Sequence, residues 1–217
     1  MITKYGYDVF FTVLTLCAVI IVLSALFVEP KIPRYAIILL SGIFLALTVN
    51  FFRDPERVTQ AGERSIVSPA DGEIIVIKEV EETEFLKSKA IQISVFMSPL
   101  DVHVNRNPIS GSVKHVRYAK GEFFAAFEDK ASEKNEQSIV GMENEHGRVM
   151  FKQIAGFLAR RIVCPLKVGD VVTRGERFGM IKFGSRVDIF VPTGTTIRAT
   201  VGDKAVAGES ILAEFAL

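Results

Sequence analysis

The stretch "VGDVVTRGERFGMI", Val168 to Ile181, returns further along the chain as "VGDKAVAGESILAE", Val201 to Glu214. Both copies carry Val-Gly-Asp and, at the same offset, a later Gly-Glu. Glycines recurring at matching turns predict two similar hairpins, packed as halves of a compact β-barrel or sandwich. Outward from this echo the texture holds. "GEIIVIKEV", "AIQISVF", "GSVKHVRYA", "RVMFKQIAG", "RRIVCPL", "RVDIFVP" and "TIRATV" are short, β-branched runs separated by glycine, proline and polar turns. Several alternate with period two, the pattern of half-buried strands. The fold class is therefore mainly β. The acidic-basic stretch "EVEETEFLKSK" reads as a solvated connection. "GEFFAAFEDKASEKNEQS" reads as a short helix or a loop.

The amino-terminal region has a different texture. "VFFTVLTLCAVIIVLSALFV", residues 9–28, carries no charge, and about 20 such residues cross a bilayer as a helix. After "EPKIPRY", whose Pro30 and Pro33 break a continuing helix, a second uncharged run, "AIILLSGIFLALTVNFF", covers residues 36–52. Two spans with a short connector predict a transmembrane hairpin over residues 1–52, followed by a β domain over residues 53–217. Lys4, Arg53, Arg57 and Arg64 flank the open end of the hairpin, against Lys31 and Arg34 in its connector. The bias places the β domain on the cytoplasmic side of a cell membrane.

Composition excludes several classes of function. The chain of 217 residues has 26 basic and 25 acidic side chains, which removes the basic excess of a nucleic-acid binder. Cys17 and Cys164 are its two cysteines, too few for a disulfide framework or a Cys-x-x-Cys metal site. No metal is expected.

Candidate chemistry gathers around "IKFGSRVDIFVP", Ile181 to Pro192, where Gly184-Ser185-Arg186 interrupts two apolar runs. The interruption is either a plain turn or a place where a serine oxygen attacks. Of three histidines, His115 alternates with valines on a strand and His146 sits beside glycine in a turn. His103 follows "FMSPLD" and precedes "VNRNPISG", at the mouth of a strand, where a proton carrier is well placed. Asp71 lies in "VSPADGEIIV", and Asp-Gly is a common hairpin turn pair. An aspartate, a histidine and a serine supply an orienting carboxylate, a base and a nucleophile. Scattered over a hundred positions, they suggest such a trio without establishing it.

Taken in order, "FFRDP", "SPADGEI", "FMSPLDVHVNRNPISG", "GEFFAAFEDKASEKNEQ" and "ARRIVCPLKVGDVVTRGERFGMIKFGSRVDIFVP" resemble phosphatidylserine decarboxylase, with the two apolar spans before them. The resemblance is to its short bacterial and archaeal form, some members of which act on archaetidylserine. It implies a barrel-sandwich-hybrid-like domain made as an inactive proenzyme. Ser185 then attacks the Gly184 carbonyl, with His103 as base and Asp71 orienting it. The chain splits into a β chain, 1–184, and an α chain, 185–217, with a pyruvoyl group in place of Ser185. That pyruvoyl is the implied cofactor and takes the substrate amine. The product is phosphatidylethanolamine, for phospholipid biosynthesis.

The resemblance further implies a membrane phospholipid as partner and a heterodimer of the two chains, with room for higher oligomers. Arg160 and Arg161 are its candidate phosphate ligands. There is one departure. Longer members of the family space two histidines D-x-H-x-x-H, and "DVHVNRNP" puts Arg106 in the second place. A rival from another class is a membrane-tethered carrier resembling biotinyl and lipoyl domains, with Lys204 of "DKA" modified. In carriers that lysine lies on the turn between two hairpins, whereas Lys204 falls inside the second repeat.

Overall fold

A computed structural model describes residues 1–122, 124, 134–156, 161–182 and 185–216. The chain divides into two compact units, Met1–Pro55 and Glu56–Leu217.

In the first unit, α1 (Tyr7–Phe27) and α2 (Lys31–Phe51) pack as a hairpin, and each is long and apolar enough to cross a membrane. Twenty-one residues rise about 31 Å, close to the hydrocarbon thickness. Their buried residues include Cys17, Ser24, Ser41 and Thr48, small enough to let helices approach closely. Phe11, Leu26, Leu39, Leu40 and Phe44 stay exposed, an apolar surface that calls for lipid rather than water. Helix α2 starts at Lys31, earlier than its apolar run, because Pro33 falls in the first turn, where a missing N–H costs nothing. The open end is tied by Thr3 N–H to Phe52 O (2.9 Å) and Asp54 N–H to Met1 O (2.7 Å).

The second unit is built from fourteen strands among the described residues. The first seven are β1 (Ser65–Val67), β2 (Gly72–Glu82), β3 (Ser88–Met97), β4 (Val104–Arg106), β5 (Gly111–Ala119), β6 (Gln137–Asn144) and β7 (Gly147–Ala155). The others are β8 (Arg161–Val163), β9 (Val171–Val172), β10 (Arg177–Lys182), β11 (Ser185–Pro192), β12 (Thr196–Ile197), β13 (Lys204–Ala205) and β14 (Ile211–Glu214). All pairs are antiparallel. The large sheet runs β13-β2-β3-β11-β7-β6-β5-β9, and two small sheets run β1-β14-β12 and β4-β10-β8.

This order is a palindrome. Exchanging β1, β2, β3, β11, β12, β13 and β14 for β4 to β10 in sequence reproduces every pairing, so the domain is two copies of one seven-stranded plan. The internal echo covers the end of each copy. Gly169 and Gly202 have φ of 99° and 97°, and Gly175 and Gly208 have 80° and 78°. These are left-handed conformations that a Cβ disfavours. The register slips at Ile74/Val76 of β2 and again at Val113/His115 of β5. One copy is contiguous (β4–β10) and interrupts the other between β3 and β11. The copies therefore meet between β3 and β4 and between β10 and β11. Ile66, Val95, Val113, Val140, Val187 and Leu212 belong to one apolar core, shared by both copies.

The expectation of a solvated connection over "EVEETEFLKSK" needs correcting. Strands β2 and β3 take up both of its ends, and what remains folds over the sheet. Glu82 is buried and accepts from the backbone N–H of Glu84, Phe85 and Leu86, at 2.7, 2.9 and 2.5 Å. This fixes Phe85 over Gly141, where any Cβ would meet its ring at 2.6 Å. Glu84 binds His115 Nε2 at 2.8 Å and Arg117 at 2.6 Å. The alternating charges in this stretch mark ion pairs with β5.

Candidate active site

Ser185 opens β11, a central strand, facing Met97 at the end of β3 and Ala155 at the end of β7. It has no exposed surface, and its hydroxyl donates to Met97 Sδ at 3.3 Å. A thioether is a weak acceptor, so this buried hydroxyl is placed without being strongly engaged. On the opposite face of β11 a buried ion pair braces the same strand. Arg186 Nε lies 2.5 Å from Asp188 Oδ1, Arg186 Nη2 donates to Ser94 Oγ at 3.1 Å, and Gln92 Nε2 donates to Asp188 Oδ2 at 3.1 Å. Such a network fixes register more surely than it adds stability. Gly184 lies outside the described residues, as do Arg160 and most of "GEFFAAFEDKASEKNEQS".

His103 is fully buried at the end of the other join. Its ring Nδ1 is 3.0 Å from the Asp101 carbonyl. A carbonyl only accepts, so Nδ1 carries a proton, which leaves Nε2 as the nitrogen that can take up and give back a proton. Its backbone carbonyl accepts from Ile181 N–H at 3.4 Å, on the strand that leads into the Gly-Ser join. Asp101 is held in turn, its carboxylate accepting from Ser98 N–H at 2.8 Å. The backbone of Asp101 thus orients the imidazole.

Asp71 has other partners. Its carboxylate forms a two-pronged pair with Arg57, with Arg57 Nη2 donating to Oδ2 at 2.6 Å, and Oδ1 also accepts from Ala207 N–H at 2.8 Å. Ser110 fills the equivalent place in the other copy, accepting from Arg174 N–H at 3.0 Å. The Asp71 turn carries the Pro69 carbonyl, which accepts from Arg106 N–H at 3.0 Å and from Asn105 Nδ2 at 3.3 Å. Asp71 therefore meets the β4 strand through its turn.

Arg106, standing where longer relatives have a second histidine, points away from His103 along the alternation of β4. It donates to Gly175 O at 2.9 Å, and its Cδ closes against Gly208. Arg161 opens β8 with an exposed side chain. Lys204 lies within an edge strand and pairs with Glu73 at 2.9 Å, so it does not occupy the turn a carrier lysine needs.

Sequence reading overlooked Met97, Asn105 and Gln153, and took Arg57 only as a charge flanking the hairpin. For Asn105 there was a signal, since it lies two residues beyond His103 and so on the same face of an extended strand.

The model of the phosphatidylserine decarboxylase family matches residues 44–213. A phosphatidylserine decarboxylase proenzyme of Chlorobium luteolum is 44% identical over 215 residues, 99% of this chain and 100% of the relative. The proenzyme of Syntrophus aciditrophicus is 51% identical over 169 residues, 77% of this chain and 79% of the relative. That of Cytophaga hutchinsonii is 40% identical over 190 residues, covering 87% and 86%. With a family model over residues 44–213 and a near-complete match to a relative in both directions, the chain belongs to the phosphatidylserine decarboxylase family.

Proposed function

We propose that this chain converts phosphatidylserine to phosphatidylethanolamine, using a pyruvoyl group made from its own Ser185. The observation that carries the reading is the Ser185 hydroxyl, wholly buried and held by a sulfur atom at the join between the two copies. A pyruvoyl group has fewer heavy atoms than the serine it replaces, so it fits the volume Ser185 already fills.

Ser185 Oγ attacks the carbonyl carbon of Gly184 and its proton passes to His103 Nε2. The peptide C–N bond breaks, the freed amine takes a proton, and an ester remains. Loss of the Ser185 Cα proton then expels the Gly184 carboxylate from Cβ, which cuts the chain and leaves dehydroalanine. Water replaces the nitrogen as a ketone oxygen and ammonia departs. Asp71 is a positioning residue in this scheme: with Arg57 it fixes the turn whose Pro69 carbonyl holds β4, and so His103.

The pyruvoyl ketone supplies an electron sink for the pair left behind by carbon dioxide. His103 then returns a proton to the carbon that lost it. Arg161, with Arg160, pairs with the lipid phosphate. The α chain stays bound because β11 is hydrogen-bonded on both sides, to β3 and β7. The hairpin anchors the enzyme in the bilayer that holds its substrate, and the bias of Lys and Arg toward its open end supports a cytoplasmic β domain.

Carbon dioxide release from phosphatidylserine vesicles tests the reading. Wild type should release it and Ser185→Ala should not. Equal release by Ser185→Ala would remove the pyruvoyl assignment.

A further inference from the structure

Two buried amides lead to the sulfur atom that receives the Ser185 hydroxyl. Asn105 comes from β4 of a small sheet and Gln153 from β7 of the large one, and neither has exposed surface. Gln153 Nε2 donates to Asn105 Oδ1 at 2.8 Å, a bond that ties the two sheets together. It also directs the Asn105 amide, whose Nδ2 reaches Met97 Sδ at 3.9 Å, the same sulfur that receives the Ser185 hydroxyl. Gln153 is registered opposite Val187, on the face of the sheet that carries Ser185. Its remaining atom stands out, because Gln153 Oε1 is buried without a hydrogen-bond partner. A stranded buried carbonyl destabilises a fold, and in a native structure it calls for an explanation.

The reacting substrate offers what this atom lacks. A serine head group must bring its amine to residue 185, and an amine donates. A neutral carbonyl can accept from it without placing a second negative charge beside the substrate carboxylate. We infer that Gln153 Oε1 recognises the substrate amine, with Asn105 as the positioning residue that holds Gln153 in place. The inference rests on Ser185 being the reacting residue.

The test uses full-length protein in detergent. Gln153→Met keeps length and bulk but removes the acceptor, whereas Gln153→Glu, kept protonated by its full burial, can still donate to Asn105 Oδ1 and keeps an acceptor oxygen. Each variant is weighed intact for self-cleavage, then titrated with glycerophosphoserine and cyanoborohydride, the covalent mass gain giving a half-saturating concentration. Gln153→Met should be cut like wild type, yet need about tenfold more head group for half capture, with KM rising more than kcat falls. Gln153→Glu should stay within about threefold of wild type. Should Gln153→Met fail to fold, Asn105→Leu carries the test, since an untethered Gln153 should show the same capture defect.

Capture by Gln153→Met at wild-type concentrations would overturn the inference. So would a glutamate variant as defective as the methionine one. A wild-type protein that is neither cut nor captures head group would instead overturn the Ser185 reading itself.

Discussion

The two copies of the β plan make an instructive pair. The contiguous copy, β4–β10, and the interrupted copy share their glycine conformations, their bulges and their turn bonds. Asp203 and Asp170 accept from Thr200 and Lys167 N–H at the same 2.8 Å. Only at selected places do they diverge. The turn residue is Ser110 in one and Asp71, paired with Arg57, in the other. At the joins between copies stand His103 on one side and Ser185, the first residue of β11, on the other. Repetition thus builds a rigid frame, and the candidate chemistry sits on the seams, where symmetry imposes no structural duty.

Substitutions at the seams should have the largest effects. Ser185→Ala should leave one uncut chain on a denaturing gel. His103→Ala should slow cutting by at least about 100-fold, the usual weight of a general base. Normal cutting in that variant would take His103 out of the base role.

The turn residues sharpen the comparison at the next level. Asp71→Ala leaves the Arg57 charge nearly buried and unpaired, which should cost about 3 kcal/mol and lower the melting temperature by roughly 6–12 °C. Ser110→Ala loses one turn bond of about 1 kcal/mol, a fall of roughly 2–4 °C, with cutting unchanged. Asp71→Ser, which gives the interrupted copy the other's turn, should still be cut if Asp71 acts by position. Complete loss of cutting there, in a folded protein, would mean that the carboxylate itself is needed.

The smallest expected effect lies far from the seams. Hydrogen bonding from Arg117, then His115, outweighs burial and holds the Glu84 carboxyl down at about 2. A depressed carboxylate stabilises the fold above its unfolded value of 4.5 and loses that contribution as pH falls toward about 2. Glu84→Gln should therefore lower the melting temperature at pH 7 by a few degrees at most. The gap from wild type should close between pH 4.5 and 2. A gap that persists at pH 2 would assign the loss to packing instead.

Much of this was legible in the sequence. The recurring Val-Gly-Asp and Gly-Glu report a backbone requirement for left-handed turns, which few residues but glycine meet, so the duplication shows there. Strands β2, β3, β5, β7 and β11 are visible as β-branched runs. The remaining copy relation was hidden because "SPADGEI" and "NPISGSV" share little beyond Pro and Gly, although they occupy equivalent turns. Strand β6, "QSIVGMEN", escaped because its apolar run is short and broken by Gly141, the glycine that admits Phe85. The partner of Asp71 was not readable either. Arg57 lies 14 residues upstream, and nothing in local pattern links a linker arginine to a turn aspartate.

Intact-mass measurement of the purified protein is the most direct trial of the account. It predicts two fragments, residues 1–184 and 185–217, the shorter beginning with a ketone in place of an amine. A single chain of full mass with an unaltered serine at 185, in material that decarboxylates phosphatidylserine, would contradict it.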